Sequence, residues 1–461
     1  MGVFKAYDIR GIAGTELDSD FAERLGKALA THYDAGCVSV VRDIRESSPE
    51  YHEAFVRGLL SAGADVLDLG ISTTGVLYRS TVDLPVDVSV VITASHNPPE
   101  YNGFKICHGK MPVGGEELQD IRRTFESGEF RVGNGSYKSM EEYEEEYTES
   151  IIESIGSLSR DIRVVLDCGN AVPGPLAVRV LERLGVDVIP LYCDWDSTFP
   201  NHPPDPTRQE NMSDLSRAVL EHGAEFGIGM DGDGDRLGVV DENGSFIHPD
   251  RLMGIFVHDI LSGLPEEASE EQRTIFFDVK CSMALEEAIE DLGGVPRMVR
   301  TGHTFMKLEL RDHPTSSLAG EMSGHFFMND HWDGFDDAIY CAARLLGIVG
   351  MDPSPEQGGP KFSERFGFMP EYPTTDEGKI PLVGDRDEVM EGVANAFSDM
   401  PVSTVDGIRA RYKDGWFLCR PSNTEPILVM RAEGRDQDAL DSILSDISSR
   451  IGHIVDIEKL K

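Results

Sequence analysis

Three stretches of this chain repeat one pattern, and the repeat constrains the fold more than any other feature. CVSVVRDIRESSPEYHEAFVRGLLSAGADVLDLG, IRVVLDCGNAVPGPLAVRVLERLGVDVIPLY and TIFFDVKCSMALEEAIEDLGGVPRMVRTG each run from an apolar strand, through an Asp and a loop, to an amphipathic helix. Each helix then ends at Gly beside a second apolar strand. The apolar spacing changes from strand-like to the three-and-four rhythm of a helix, and Gly supplies the stop. These are strand-helix-strand units. Their aspartates Asp43, Asp167 and Asp278 lie roughly 110 to 125 residues apart, the usual size of a domain, so the sequence predicts three related α/β domains in tandem.

The C-terminal stretch departs from this pattern. TVDGIRARYKDGWFLCRPSNTEPILVMRAEG reads as strands joined by turns, with Lys-Asp-Gly as a hairpin signal, and ALDSILSDISSRIG follows as a helix. That is a smaller α+β domain. Boundaries near EEYEEEYTESIIESIG, around Asp250 and in MDPSPEQGGPKFSERFG give expected domains 1–150, 151–250, 251–362 and 363–461, meeting at a central cleft.

Composition narrows the function classes. No apolar run approaches the roughly 20 residues needed to cross a bilayer, and MGVFKAYDIRG lacks the features of a signal peptide, so a soluble, cytoplasmic protein is expected. The seven cysteines are scattered and never form a CxxC pair, which points to free thiols. With 82 acidic against 42 basic residues the net charge is -40, and no acidic tail holds the excess. Such a surface repels polyanions and excludes nucleic acid and anionic membranes as partners. Arginine outnumbers lysine, and the combination suggests adaptation to a salty cytoplasm that screens the self-repulsion.

Four loops carry chemistry. In TASHNPPEYNGFK, Ser95 follows the apolar run VDVSVVI and opens a loop with two prolines and Asn-Gly. A serine there is a nucleophile, an anion ligand or a turn former. In FGIGMDGDGDRLGVVDENG, Asp231, Asp233 and Asp235 alternate with glycines, so three carboxylates can converge on a hard cation. An EF-hand is the rival, with Glu242 at the twelfth position, but Arg236 stands where that loop needs Gly and the flanks read as strands. LAGEMSGHFF offers Glu321, Ser323 and His325 from one Gly-flanked turn, a set suited to sugar hydroxyls. CRPSNTEP concentrates Arg420, Ser422, Asn423 and Thr424, which is phosphate-binding chemistry. Lys280, His303, Tyr7 and Arg10 are smaller candidates; taken singly, Lys280 reads as a solvated loop residue and His303 as a satisfied turn histidine. One loop falls in each expected domain, and metal-assisted phosphoryl transfer to or from a sugar uses all four.

KAYDIRG, TASHNPPEYNGFK, DGDGDR, FDVKCS with RTGHTFMK, GEMSGHFF with WDGFDDAIY, and RPSNTEP together resemble the α-D-phosphohexomutases, in the phosphomannomutase/phosphoglucomutase branch. They occur in the family's order across essentially the whole chain. The resemblance implies a four-domain, heart-shaped enzyme. It implies that Ser95 carries a phosphoryl group and that Asp231, Asp233 and Asp235 hold Mg2+ with it. Lys105 and Arg236 would steady the transferring group, with Arg10 and His96 lining the pocket. Glu321 and Ser323 would read the sugar, Lys280, His303 and Tyr7 would contact it, and His325 or His303 would act as base. Arg420, Ser422, Asn423 and Thr424 would grip the second phosphate. The implied reaction interconverts hexose 1- and 6-phosphates of mannose or glucose through a hexose 1,6-bisphosphate, in a monomer or small homo-oligomer. Ala94 stands where some members have Gly. A phosphoglucosamine mutase is the rival within the family, but that branch usually differs at Met322 and across NPPEYNGFK. A non-catalytic sugar-phosphate or divalent-ion binding protein is the rival outside it.

Overall fold

The computed structural model describes residues 2–5, 7–422 and 426–460, and it contains the threefold repeat in register. In the first unit strand Cys37–Arg42 pairs in parallel with Asp65–Ile71 on one side and Val88–Ile92 on the other. In the second unit Arg163–Asp167 stands between Asp187–Leu191 and Phe226–Met230 in the same way. In the third, Thr274–Asp278 stands between Val295–Val299 and Leu318–Gly320. The crossover helices are Ser48–Ser61, Gly174–Arg183 and Met283–Asp291.

Each unit adds a fourth strand, of which the sequence pattern marked the one after the aspartate loop, in LGVVD. Tyr101–His108, Leu237–Val240 and Phe326–Met328 run antiparallel to Val88–Ile92, Phe226–Met230 and Leu318–Gly320 respectively. The sheets are therefore mixed. The Ser95 loop, the aspartate loop and the Glu321 loop are the same connection in three copies, each joining the third parallel strand to its antiparallel neighbour.

The repeated aspartates are equivalent too. Asp43, Asp167 and Asp278 end the central strands, are buried, and accept a backbone N–H two residues on, from Arg45, Gly169 and Lys280. A carboxylate that closes such a turn satisfies backbone donors where the strand stops.

One apolar core runs through all three units, from Val41 and Tyr78 through Leu166 and Phe226 to Phe277 and Tyr340. A second cluster fills the other face of the first sheet. The C-terminal domain keeps its own core beneath the antiparallel sheet of Gly378–Pro381, Val402–Ser403, Ile408–Tyr412, Gly415–Pro421 and Ile427–Gly434. The expected Lys-Asp-Gly hairpin is there, with Tyr412 opposite Gly415, and helix Gln437–Ile451 covers the sheet. This domain docks on the third unit through a small patch in which Trp416 meets Val279, while Arg431 and Arg409 donate to the carbonyls of Lys280 and Cys281.

The seven cysteines are unpaired. Among the described residues no helix is long and apolar enough to cross a membrane.

Candidate active site

The serine loop meets the aspartate loop. Ser95 is buried at the end of strand Val88–Ile92, and its backbone takes the left-handed conformation (φ 50°), unusual for a residue with a side chain. Its N–H donates to Thr93 Oγ1 and its hydroxyl donates to Asp231 Oδ2 at 2.8 Å, with His96 Nδ1 3.1 Å away. The approach is close enough to require Gly232, because a Cβ there would stand 2.2 Å from the Ser95 carbonyl oxygen.

The three aspartates are buried and converge. Asp231 Oδ1 caps the loop by accepting from the backbone of Gly234, Asp235 and Arg236. Lys105 Nζ donates to Asp233 Oδ2 and Asp235 Oδ2, both at 2.6 Å, and Thr74 Oγ1 also donates to Asp233 Oδ2. Burial opposes the Lys105 charge, but the three aspartates outweigh it and raise its pKa. Asp233 Oδ1 and Asp235 Oδ1 remain buried without a hydrogen-bond partner among the described residues, and one carboxylate oxygen from each of the three residues lies within 4.8 Å of the others. Unpartnered buried carboxylate oxygens at that separation suit a hard divalent cation such as Mg2+. The EF-hand reading fails here: the loop joins two paired strands, and Glu242 points elsewhere, accepting from Ser363 N–H and Oγ.

Arg236 Nε donates to His325 Nε2 at 3.1 Å. His325 Nδ1 lies 2.9 Å from Asp336 Oδ2, and Asp336 is in turn 2.6 Å from the buried Lys307. An imidazole whose Nε2 accepts from a cation carries its proton on Nδ1 when neutral, here on the side that faces the carboxylate. Sequence reasoning did not single out Asp336, although WDGFDDAIY contains it. His303 stands beside His325, ring centroids 5.9 Å apart, and beside Tyr7 at 6.4 Å. Surrounding protein pushes the His303 pKa well down, with Lys307 adding to the effect, so this ring is neutral.

His303 thus bridges to a second cluster. Glu321 is buried, accepts from Gly302 N–H at 2.6 Å and from Ser323 Oγ at 2.7 Å, and its pKa is raised by burial. Lys280 is also buried and paired with Glu377 of the C-terminal domain at 3.2 Å. Burial lowers the Lys280 pKa, but Glu377, Asp278 and Glu321 outweigh that and hold it up, so this lysine is a cation in the cleft, unlike a solvated loop residue. Arg420 lies buried at the end of its strand with Nε on Asp406 at 2.7 Å. Ser422 follows in the same loop; Asn423 and Thr424, the other two expected phosphate ligands, lie outside the described residues. Arg10 completes the first cluster, donating to Asn97 and Asp8 and leaving Nε buried without a hydrogen-bond partner among the described residues; burial depresses the His96 pKa, and Arg236 and Arg10 depress it further.

One expectation is corrected. Asn102 and Gly103 are not part of a turn but lie in strand Tyr101–His108, where Gly103 faces Arg10 on strand Ile9–Ile12. A Cβ at Gly103 would sit 2.3 Å from the Ile9 carbonyl oxygen, so glycine serves strand contact there.

Comparisons agree with this geometry. Four family descriptions match in order: phosphoglucomutase/phosphomannomutase α/β/α domain I over residues 1–132, domain II over 141–244, domain III over 248–372 and the C-terminal domain over 377–449. The phosphomannomutase/phosphoglucomutase of Pseudomonas aeruginosa is 39% identical over 447 residues, covering 96% of this chain and 93% of its own. A phosphoglucomutase of Neisseria meningitidis is 37% identical over 462 residues, covering 97% and 96%. The crystal structure of a phosphoglucomutase/phosphomannomutase family protein from Burkholderia thailandensis superposes with a TM-score of 0.90 at 38% identity, covering 98% and 97%. The chain belongs to the phosphoglucomutase/phosphomannomutase family.

Proposed function

We propose that this enzyme interconverts hexose 1-phosphates and hexose 6-phosphates, of mannose, glucose or both, with Ser95 as the phosphoryl carrier. The observation that carries the reading is the Ser95 hydroxyl 2.8 Å from Asp231 at the edge of a three-carboxylate cradle. Asp231, Asp233 and Asp235 would hold Mg2+ together with the seryl phosphate. Bound there, the ion neutralises phosphoryl oxygens as charge shifts in transfer. Lys105, Arg236 and Arg10 are the protein's own cations around the same group, and His96 lines its edge.

The seryl P–O bond breaks as a P–O bond to the free sugar hydroxyl forms, and the hydroxyl proton passes to a base. His325 fits that role best, since the Asp336 carboxylate stands 2.9 Å from its Nδ1 and Arg236, on turning to the phosphoryl group, would free its Nε2. The product is a hexose 1,6-bisphosphate, which also serves as activator by loading Ser95. It must turn over so that its other phosphate returns to Ser95. Glu321 and Ser323 would read the hydroxyls in either orientation, His303, Tyr7 and Lys280 would line the sugar, and Arg420, Ser422, Asn423 and Thr424 would grip the idle phosphate. The separate core of the C-terminal domain and the small apolar cluster at its junction suit a hinge that accepts both orientations. Domains 1–150, 151–250, 251–362 and 363–461 would each then contribute one loop.

The enzyme would work in the cytoplasm as a monomer or small homo-oligomer, and its net charge of -40 suits high salt. Equal activity and melting temperature at low and molar KCl would remove the halophilic reading. For the substrate, kcat/KM is compared for glucose, mannose and glucosamine 1-phosphates with Mg2+ and a trace of glucose 1,6-bisphosphate. Turnover of the first two is expected; preference for glucosamine phosphate would shift the assignment to a phosphoglucosamine mutase, and no turnover to a binding protein.

A further inference from the structure

Arg45 lies in the turn after strand Cys37–Arg42, its side chain wholly buried. Nε donates to Asp43 Oδ2 at 3.0 Å. Nη1 donates to the carbonyls of Pro98 (2.6 Å) and Tyr101 (3.0 Å), and Nη2 to those of Ser95 and Asn97, both at 2.7 Å. A guanidinium has five N–H donors, and all five are engaged, four on the backbone of the loop that presents Ser95. The Phe199 ring of the second unit covers the guanidinium, 5.3 Å from centroid to Cζ.

We propose that Arg45 is the positioning residue of the phosphoryl-carrier loop, fixing the Ser95 backbone so that its hydroxyl faces Asp231. The inference rests on the carrier role of Ser95. Ser95 is in a left-handed conformation that strains a side-chain-bearing residue, and something around it must over-determine that state. Thr93 holds its N–H, Gly232 packs against its carbonyl, and Arg45 holds that same carbonyl from the other side. The two prolines stiffen the loop, and among the described side chains Arg45 ties its start at Ser95 to its end at Tyr101. Lysine has three donors and no plane, so it cannot reproduce a five-bond fork. The charge is tolerated because Asp43 neutralises it and the carbonyl dipoles solvate it.

A residue that only braced the fold would affect stability and all ligand contacts together. A positioning residue affects transfer, because a displacement of about 1 Å at the reacting atom costs about 100-fold in rate. The test follows Ser95 phosphorylation by intact mass in a single turnover of full-length protein with Mg2+ and glucose 1,6-bisphosphate. Wild type, Arg45→Lys and Arg45→Ala are compared, the last with and without millimolar guanidinium. The affinity of the unphosphorylated proteins for glucose 1-phosphate and their melting temperatures are measured alongside. In Arg45→Lys, transfer is expected to slow about 100-fold with affinity changed less than about threefold. Guanidinium is expected to speed Arg45→Ala about tenfold and leave wild type unchanged. Transfer at the wild-type rate in Arg45→Lys would overturn the proposal. So would loss of rate that follows loss of affinity and melting temperature without rescue, or failure of both variants to fold. Wild-type protein that stays unphosphorylated would instead overturn the carrier reading beneath it.

Discussion

Ser95 Oγ and Asp231 Oδ2 lie 2.8 Å apart although 136 residues separate them in the chain. The contact joins two copies of one structural element, the connection between the third parallel strand and its antiparallel neighbour, from the first and second units. A repeated fold thus brings a hydroxyl to a cradle of three carboxylates, and the third copy supplies Glu321, Ser323 and His325. The consequences for metal, base and pH can each be measured.

The carboxylate cradle is incomplete on its own, since Asp233 Oδ1 and Asp235 Oδ1 are buried without hydrogen-bond partners among the described residues. Mg2+ in large excess over its dissociation constant is expected to raise the melting temperature by a few degrees, because a ligand at about 100 times Kd contributes about 2.7 kcal/mol. Asp233→Asn should lose most of that shift and slow turnover by about 10²- to 10³-fold. A variant that keeps the full Mg2+ shift would place the ion elsewhere; the readout is a thermal melt with and without Mg2+.

His325 and His303 can be separated by kinetics. His325 has Asp336 2.9 Å from its Nδ1 and an Arg236 donor on its Nε2, whereas His303 packs between the rings of His325 and Tyr7. His325→Gln is expected to lower kcat by about 10²- to 10⁴-fold with little change in KM. His303→Gln should cost less, and mainly in KM. The reverse order would give the proton to His303.

His202 makes a pH-dependent contribution remote from the chemistry. Burial lowers its pKa, but its Nε2 lies 3.0 Å from Asp167 Oδ2, and that carboxylate outweighs burial to leave the pKa raised. A raised folded-state pKa stabilises the protein fully below the unfolded value of about 6.5, and the gain fades as pH rises through the folded value. His202→Gln should therefore lower the melting temperature more at about pH 5.5 than at about pH 8.5. An equal loss at both would mean the imidazole acts by packing alone.

The repeat and the four loops were legible because both leave local marks: apolar periodicity with a Gly stop, and polar residues packed between apolar runs. What stayed hidden depends on distant chain. Arg45 reads as one arginine in a polar turn, and its burial is possible only because carbonyls some fifty residues on accept four of its five donors and Asp43 the fifth. Lys280 looks solvated until Glu377 of the last domain arrives beside it. Asn102-Gly103 carries a turn signature, but the pairing of Tyr101–His108 with Ile9–Ile12 overrides that local preference and uses Gly103 for close approach. Asp336 is one acid in an acid-rich chain, and only its 2.9 Å contact with His325 distinguishes it.

The carrier role of Ser95 is tested most directly by turnover of glucose 1-phosphate by Ser95→Ala with Mg2+ and glucose 1,6-bisphosphate. If the phosphoryl group must pass through the Ser95 oxygen, conversion to the 6-phosphate should fall by at least about 10³-fold while the variant still folds and binds the sugar phosphate. Conversion at the wild-type rate would contradict the covalent route.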